Sequence, residues 1–520
     1  MDTLEIDGHS LTIQHVVDVA RHNRPVALAA PARAEMLRSY AWVTKASQGE
    51  MPVYGVNTGF GSLARVRIPP EDSEQLSVNL IRSHAAGVGK PMPVEVVRAM
   101  MLLRANALAK GVSGCRPLLV ENLAAMLNAG ITPIIPSQGS CGSSGDLAPL
   151  AHLGLVLMKG DHGEVVVNGE RISAEEGMAA AGITRITLQA KDGLAITNGA
   201  QLTTAIAALA CADAARLILS AEVAAAMTME ALRGVSRAFV AAVHELRPYP
   251  GARACAANLR ALLAGSKLID SLPDKVQDAY SIRCTPQVLG ASRDTLHFAT
   301  RQVSVELNAA TDNPLILVDQ PGENKAYSAG MFHGEPVGMA MDVLKIAVAE
   351  IASIAERRLY RLTTGTLSHR LPPGLAQADR PSLGMMLPQT TAAALVSENR
   401  SLAWPSSVDS IPTCEDQEDH VAMSTTAARI AAEVLTNSRR VIAIELLGAS
   451  AALTFRQRAE PGVTLGAGTT VALARVRACL NAVAEGRPPS EQIEALAVLI
   501  HSGGLLEGLP ALYNLGEEPS

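Results

Sequence analysis

Basic runs are absent from this chain, and that excludes the simplest form of polyanion binding. With 44 Lys and Arg against 50 Asp and Glu, the net charge is −6 and no cationic stripe is available to follow a nucleic acid backbone. The seven cysteines are odd in number and form no Cys-x-x-Cys pair, which argues against a disulfide framework and against a zinc site, so no metal is expected. Met1 to Asp7 lack the basic start and apolar core of a secretory signal, so a cytoplasmic location is expected. The longest uncharged stretch, 193–212, is broken by Thr197, Asn198, Gln201, Thr203 and Thr204, which suits burial within protein better than lipid. No nucleotide motif, exact repeat or low-complexity segment is present.

What is present is apolar bulk arranged in helical patterns. At 520 residues and 48% hydrophobic, the chain can bury a large core, which rules out disorder as its main state. A short strand is predicted at Thr3–Ile6. Helical pieces then alternate with Gly- and Pro-rich loops to about residue 190, and the loops 54–61 and 139–145 each hold several glycines. Long Ala-rich helices follow. In 343–360, Leu344, Ala347, Val348, Ile351, Ile354, Ala355 and Leu359 form one stripe while Lys345, Glu350, Glu356 and Arg357 take the remainder. Similar spacing recurs over 201–232 and 420–447. The expected fold is mainly α: a mixed N-terminal region at 1–190 carrying the loops, a central long-helix bundle at 191–480, and a C-terminal helical segment at 481–520. Several helices are apolar over more of their circumference than one core requires, which points to association between subunits.

The stretch Ser143-Ser144-Gly145-Asp146 suggests a prosthetic group made from backbone. Attack by the Gly145 amide nitrogen on the carbonyl of residue 143 needs a tight loop, which a residue without Cβ allows most easily. Loss of water closes the ring, and loss of the Ser144 hydroxyl as a second water leaves an exocyclic methylidene. The competing reading is a plain turn or an anion-binding nest.

The flanking sequence decides between them. The segments Tyr54-Gly-Val-Asn-Thr-Gly-Phe-Gly61, 139–152, Thr197-Asn198-Gly199, 277–287 with Tyr280 and Arg283, Thr311-Asp-Asn-Pro-Leu315, Phe332-His333-Gly334 and Gln417-Glu418-Asp419-His420 occur in an order that resembles the aromatic amino acid ammonia-lyases and aminomutases, over most of the chain. That resemblance implies a methylidene-imidazolone formed autocatalytically from Ser143-Ser144-Gly145, with no external cofactor. It implies a homotetramer whose active sites draw on three chains, acting on a small amino acid, with no nucleic acid or membrane partner.

The resemblance also distributes roles. The substrate amine is expected to add to the methylidene carbon and leave attached to it, while Tyr54, matching the family's loop tyrosine, removes the β-proton once its phenol is poised by charge or hydrogen bonding. Arg283 matches the arginine that grips the substrate carboxylate in bidentate fashion. Tyr280 and Asn198 match residues around the prosthetic group and the substrate amine, and Phe332 matches an aromatic packed beside the group. Asp146 orients the ring-forming loop or caps the helix that Leu147 begins. The pair Ser83-His84 has the form found in the family's histidine enzymes. Glu418, next to Gln417, matches a carboxylate facing the imidazole, a placement suited to a ring that donates an N–H and can carry positive charge. The expected reaction is elimination of ammonia from L-histidine to give urocanate. Alternatives are a lyase for another aromatic amino acid or a modified histidine, a 2,3-aminomutase, and an inactive binding homologue. Ser143 replaces the usual Ala, Met331 replaces an Asn, and Cys414-Glu415-Asp416 replaces a Ser-Ala-Asn-like stretch, adding negative charge in sequence near Glu418.

Overall fold

A computed structural model describes residues 1–59, 66–160, 162–376, 383–484 and 486–519. Phe60 and Gly61 of the Tyr54 loop lie outside the described residues. The fold is mainly α, and no described strand exceeds four residues. The strand Leu4–Ile6 pairs in parallel with Val26–Leu28, and the intervening helix Ile13–His22 starts where the Thr12 side chain accepts from the His15 amide.

The chain forms two compact units. The first comprises 1–212, 300–342 and 405–429, and the second 213–299, 343–404 and 430–520. Four long helices, Gln201–Ala231, Thr285–Glu306, Glu335–Thr363 and Ser424–Ala459, contribute residues to both. Gln201–Ala231 is long and apolar enough to cross a membrane, but 83% of its most apolar window is buried inside the protein. Its fully buried Glu222 and Glu230 also suit a protein interior better than lipid.

The stripe predicted in 343–360 lies on Glu335–Thr363, with Leu344, Ala347, Val348, Ile351, Ile354, Ala355 and Leu359 all buried. Truncating Ile351 to Ala would cost about 2–5 kcal/mol. The polar remainder is divided. Glu350 and Arg357 are exposed, but Lys345 and Glu356 are buried, because this helix is enclosed on more than one face. Within the second unit, Arg358 donates from Nε and Nη2 to the two oxygens of Glu445 at 2.6 and 2.8 Å, and Glu445 also accepts from Thr228 Oγ1 at 2.9 Å. Such a charge is tolerated inside only when paired. The last long helix begins at Ser424 and not at 420, since Met423 takes a left-handed φ of 46°.

Candidate active site

The Ser144 loop is shaped by left-handed backbone at consecutive residues. Ser144 has φ 51° and Gly145 φ 77°, and the first is costly for a residue with a side chain. Gly145 also pairs with Gly199 so closely that an added Cβ would lie 2.2 Å from the Gly199 carbonyl carbon. Only glycine satisfies both conditions. The Asp146 amide donates to the Gly199 carbonyl at 2.7 Å, and Asn198 Nδ2 donates to the Ser144 carbonyl at 3.1 Å.

Asp146 occupies the N-cap position of helix Leu147–Leu157, yet its side chain makes no cap bond to that helix. Instead the carboxylate accepts from the Thr203 amide at 2.7 Å, in the first turn of Gln201–Ala231, and from the hydroxyls of Ser140, Thr203 and Thr425 at 2.8, 3.0 and 2.6 Å. It thus caps a distant helix and ties that helix to the loop. Complete burial raises its carboxyl above the usual range, and these hydrogen bonds offset the rise only in part.

A cavity of about 540 Å³ opens on this loop, lined by Tyr54, Ser143, Ser144, Asn198, Phe332, Gln417 and Glu418 among others. Tyr54 is placed by Asn57, whose Oδ1 accepts from the Val53 amide at 2.7 Å and whose Nδ2 donates to the Met51 carbonyl at 2.9 Å. Val53 and Val56 anchor the segment on Val43 and Ile316. Glu418 bridges two neighbours: Oε1 accepts from Ser144 Oγ and Oε2 from Thr413 Oγ1, both at 2.6 Å. The intervening Cys414, Glu415 and Asp416 all have positive φ, at 52, 53 and 61°, so the turn that presents Glu418 stores strain. Glu415 and Asp416 are exposed and do not line the cavity.

Other expected residues lie elsewhere. His84 ends helix Ser73–His84, and its Nδ1 is 2.9 Å from Ser83 Oγ. Burial lowers the His84 pKa, while its hydrogen bond to Leu80 and the Glu418 carboxylate act in the opposite sense. Neither Ser83 nor His84 lines the cavity. Tyr280 and Arg283 belong to the other unit and are not lining residues. There, the Arg283 guanidinium lies 4.7 Å from the Tyr280 ring centre and donates from Nε to the Asp278 carbonyl at 2.9 Å. Tyr280 is 72% exposed. Met331 is exposed and also outside the lining.

Two of the wall residues to which the sequence assigns no role face each other. His333 and His420 stack with ring centres 5.8 Å apart and planes 3° from parallel, and both line the cavity. Each stood inside a recognised segment, Phe332-His333-Gly334 or Gln417–His420, which was the available signal. Two buried polar atoms at the loop, Ser143 Oγ and Asn198 Oδ1, meet no partner among the described residues. The tight Ser144-Gly145 geometry and these unmatched atoms fit a ring formed from residues 143–145.

A helical fold with a cavity over a glycine-backed serine loop is the architecture of a carbon–nitrogen lyase, as its relatives show. The chain matches the aromatic amino acid lyase family model over residues 11–478 and belongs to that family. It is 48% identical to a histidine ammonia-lyase from Caldanaerobacter subterraneus subsp. tengcongensis, over 98% of each chain. Among solved structures it is similar to the histidine ammonia-lyase of Trypanosoma cruzi, with TM-score 0.88 and 38% identity over 97% of this chain and 94% of that one. It is also similar to the tyrosine aminomutase of Streptomyces globisporus, with TM-score 0.89 and 33% identity over 97% of this chain and 98% of that one.

Proposed function

We propose that this chain is a carbon–nitrogen lyase that eliminates ammonia from L-histidine to give urocanate. The observation that carries the reading is the 2.6 Å contact between Ser144 Oγ and the Glu418 carboxylate on one wall of the cavity. It sets an anion suited to an imidazole beside the serine from which the electrophile would form. The relatives named as histidine ammonia-lyases support the same substrate.

Residues 143–145 would hold the methylidene-imidazolone, which supplies an electrophile that turns the substrate amine into a competent leaving group. The chain's own side chains do the rest. Asn198 Nδ2 orients the Ser144 carbonyl, and Asp146 fixes the loop against helix Gln201–Ala231. Phe332 supplies an apolar wall. Glu418 accepts the imidazole N–H, Gln417 contributes an amide at the same wall, and Ser83-His84 supports Glu418 from outside the cavity. Tyr54, on the cavity wall, takes the β-proton.

The substrate carboxylate requires a cation, and Arg283 fills that role with Tyr280 beside it. Both come from neighbouring copies in a homotetramer with shared active sites. The enzyme works in the cytoplasm. Incubation with histidine, tyrosine and phenylalanine, followed by the ultraviolet absorbance of the unsaturated acid, tests the assignment. Urocanate as the main product is expected. Preference for tyrosine or phenylalanine, or a β-amino acid product, would overturn it.

A further inference from the structure

The segment behind the Ser144 loop is itself held from behind by a guanidinium. Arg104 lies in helix Val94–Ala109, in which every residue from Val96 onward is buried, and is only 1% exposed. Its Nη1 donates to the Asn198 carbonyl at 2.6 Å and to Gln201 Oε1 at 2.9 Å. Gln201 in turn donates from Nε2 to Thr311 Oγ1 at 2.6 Å. Between these groups and the loop sits Gly199, at φ 146°. A Cβ there would fall 2.3 Å from Gln201 Oε1, 2.5 Å from Arg104 Nη1 and 2.6 Å from Thr311 Oγ1. The other side of Gly199 meets Gly145 and the Asp146 amide. Residues 198–199 are therefore clamped between the guanidinium and the loop carrying Ser144.

Fold stability does not explain this cation. Among the described residues, Nε and Nη2 of Arg104 meet no acceptor. Asp312, which acts on Arg104 electrostatically, is already paired with Lys191 at 2.8 Å. A buried charge with unmatched donors carries a desolvation cost that an apolar residue of similar volume avoids.

We propose that Arg104 is a positioning residue for ring closure. By donating from Nη1 to both the Asn198 carbonyl and Gln201 Oε1, it sets the Asn198 amide on the Ser144 carbonyl and Gly199 against Gly145. This holds the Gly145 nitrogen in register with the carbonyl of Ser143. The proposal rests on the reading that residues 143–145 cyclise. In that reaction a carbon–nitrogen bond forms between Gly145 and the carbonyl carbon of residue 143. The first water carries away that carbonyl oxygen with the protons of the Gly145 and Ser144 nitrogens. The second carries the Ser144 hydroxyl with the Ser144 α-proton, and Arg104 gives no atom to either.

The test is the time course of intact mass for the purified, folded full-length chain and for Arg104→Met, with kcat and KM for histidine determined per closed site. Closure is expected to slow about 10- to 100-fold in the variant, the scale of a small misplacement at a reacting centre. KM per closed site should be unchanged, which confines the defect to ring closure, whereas a purely structural role would lower stability and leave closure as fast as in the wild type. If a wild-type chain stays at its encoded mass, the ring reading itself fails and takes the role of Arg104 with it. If the wild type loses two waters and folded Arg104→Met loses them just as fast, Arg104 alone is overturned. Should Arg104→Met not fold, Arg104→Lys keeps the charge but ends its side chain one bond short of the Nη1 position that reaches both acceptors. Slower closure in that variant supports the proposal, and wild-type closure refutes it.

Discussion

Replacing Glu418 by Gln keeps the length and shape of the side chain and removes only its charge. In the structure that charge accepts two hydrogen bonds at 2.6 Å, from Ser144 and Thr413, and acts on His84. The neutral amide can still accept the Thr413 hydroxyl, so the turn that presents residue 418 should survive. What it loses is the charge-assisted bond to an imidazole, worth about 1.5–3 kcal/mol. At roughly 1.4 kcal/mol per factor of ten, kcat/KM for histidine should fall about 10- to 150-fold. A phenyl ring offers no N–H to this carboxylate, so any turnover of phenylalanine should change little or rise. The assay is initial rate by product absorbance for both substrates on the same preparation, with closure of the 143–145 ring checked by mass so that only loaded sites are compared. Equal losses for histidine and phenylalanine would refute the reasoning, because Glu418 would then not be reading the imidazole.

Further expectations concern the loop and its supports. Ser144→Ala removes the leaving hydroxyl and should abolish turnover while circular dichroism shows the helices intact. Gly145→Ala meets both a left-handed φ of 77° and a 2.2 Å approach to Gly199, and urea unfolding should show a loss of at least about 2 kcal/mol. Asp146→Ala strands the Thr203 amide and the Thr203 and Thr425 hydroxyls in a buried site, for a loss of about 2–5 kcal/mol by the same measurement. Burial, with the Asp146 carboxylate adding to it, pushes the Glu306 carboxyl up from 4.5 to about 7. A raised carboxyl costs the folded state nothing below the unfolded value, and the cost grows as pH rises through the folded one. Glu306→Gln should therefore leave stability unchanged near pH 4 and raise it by about 3 kcal/mol at pH 8. A pH-independent difference in thermal midpoint would contradict that account.

The parts of this molecule written in short local patterns were legible in the sequence. Ser144 and Gly145 announce themselves because the ring chemistry demands those residue types in that order, and the helical stripe in 343–360 follows from its periodicity. Tyr54, Asn198, Phe332, Gln417 and Glu418 were picked from separate segments, and they meet at one cavity. The rest depends on which elements become neighbours. Lys345 and Glu356 lie off the apolar stripe and are buried all the same, because the pattern along one helix does not show how many of its faces are covered. Asp146 admits two readings, orienting the loop or capping the helix it precedes, and only the fold shows its carboxylate tying the loop to the start of a helix more than fifty residues later. Arg104 went unnoticed because a single arginine in an apolar helix ordinarily reaches solvent. Its contact with Asn198 exists only in three dimensions. Tyr280 and Arg283 carry no local sign of which cavity they serve.

The most direct test is peptide mapping of active protein across Ser143-Ser144-Gly145. The fragment containing these residues should be lighter than its encoded mass by two waters, about 36 Da, as expected for a covalent self-modification. A fragment at the encoded mass, recovered from a preparation that still converts histidine to urocanate, would contradict the account.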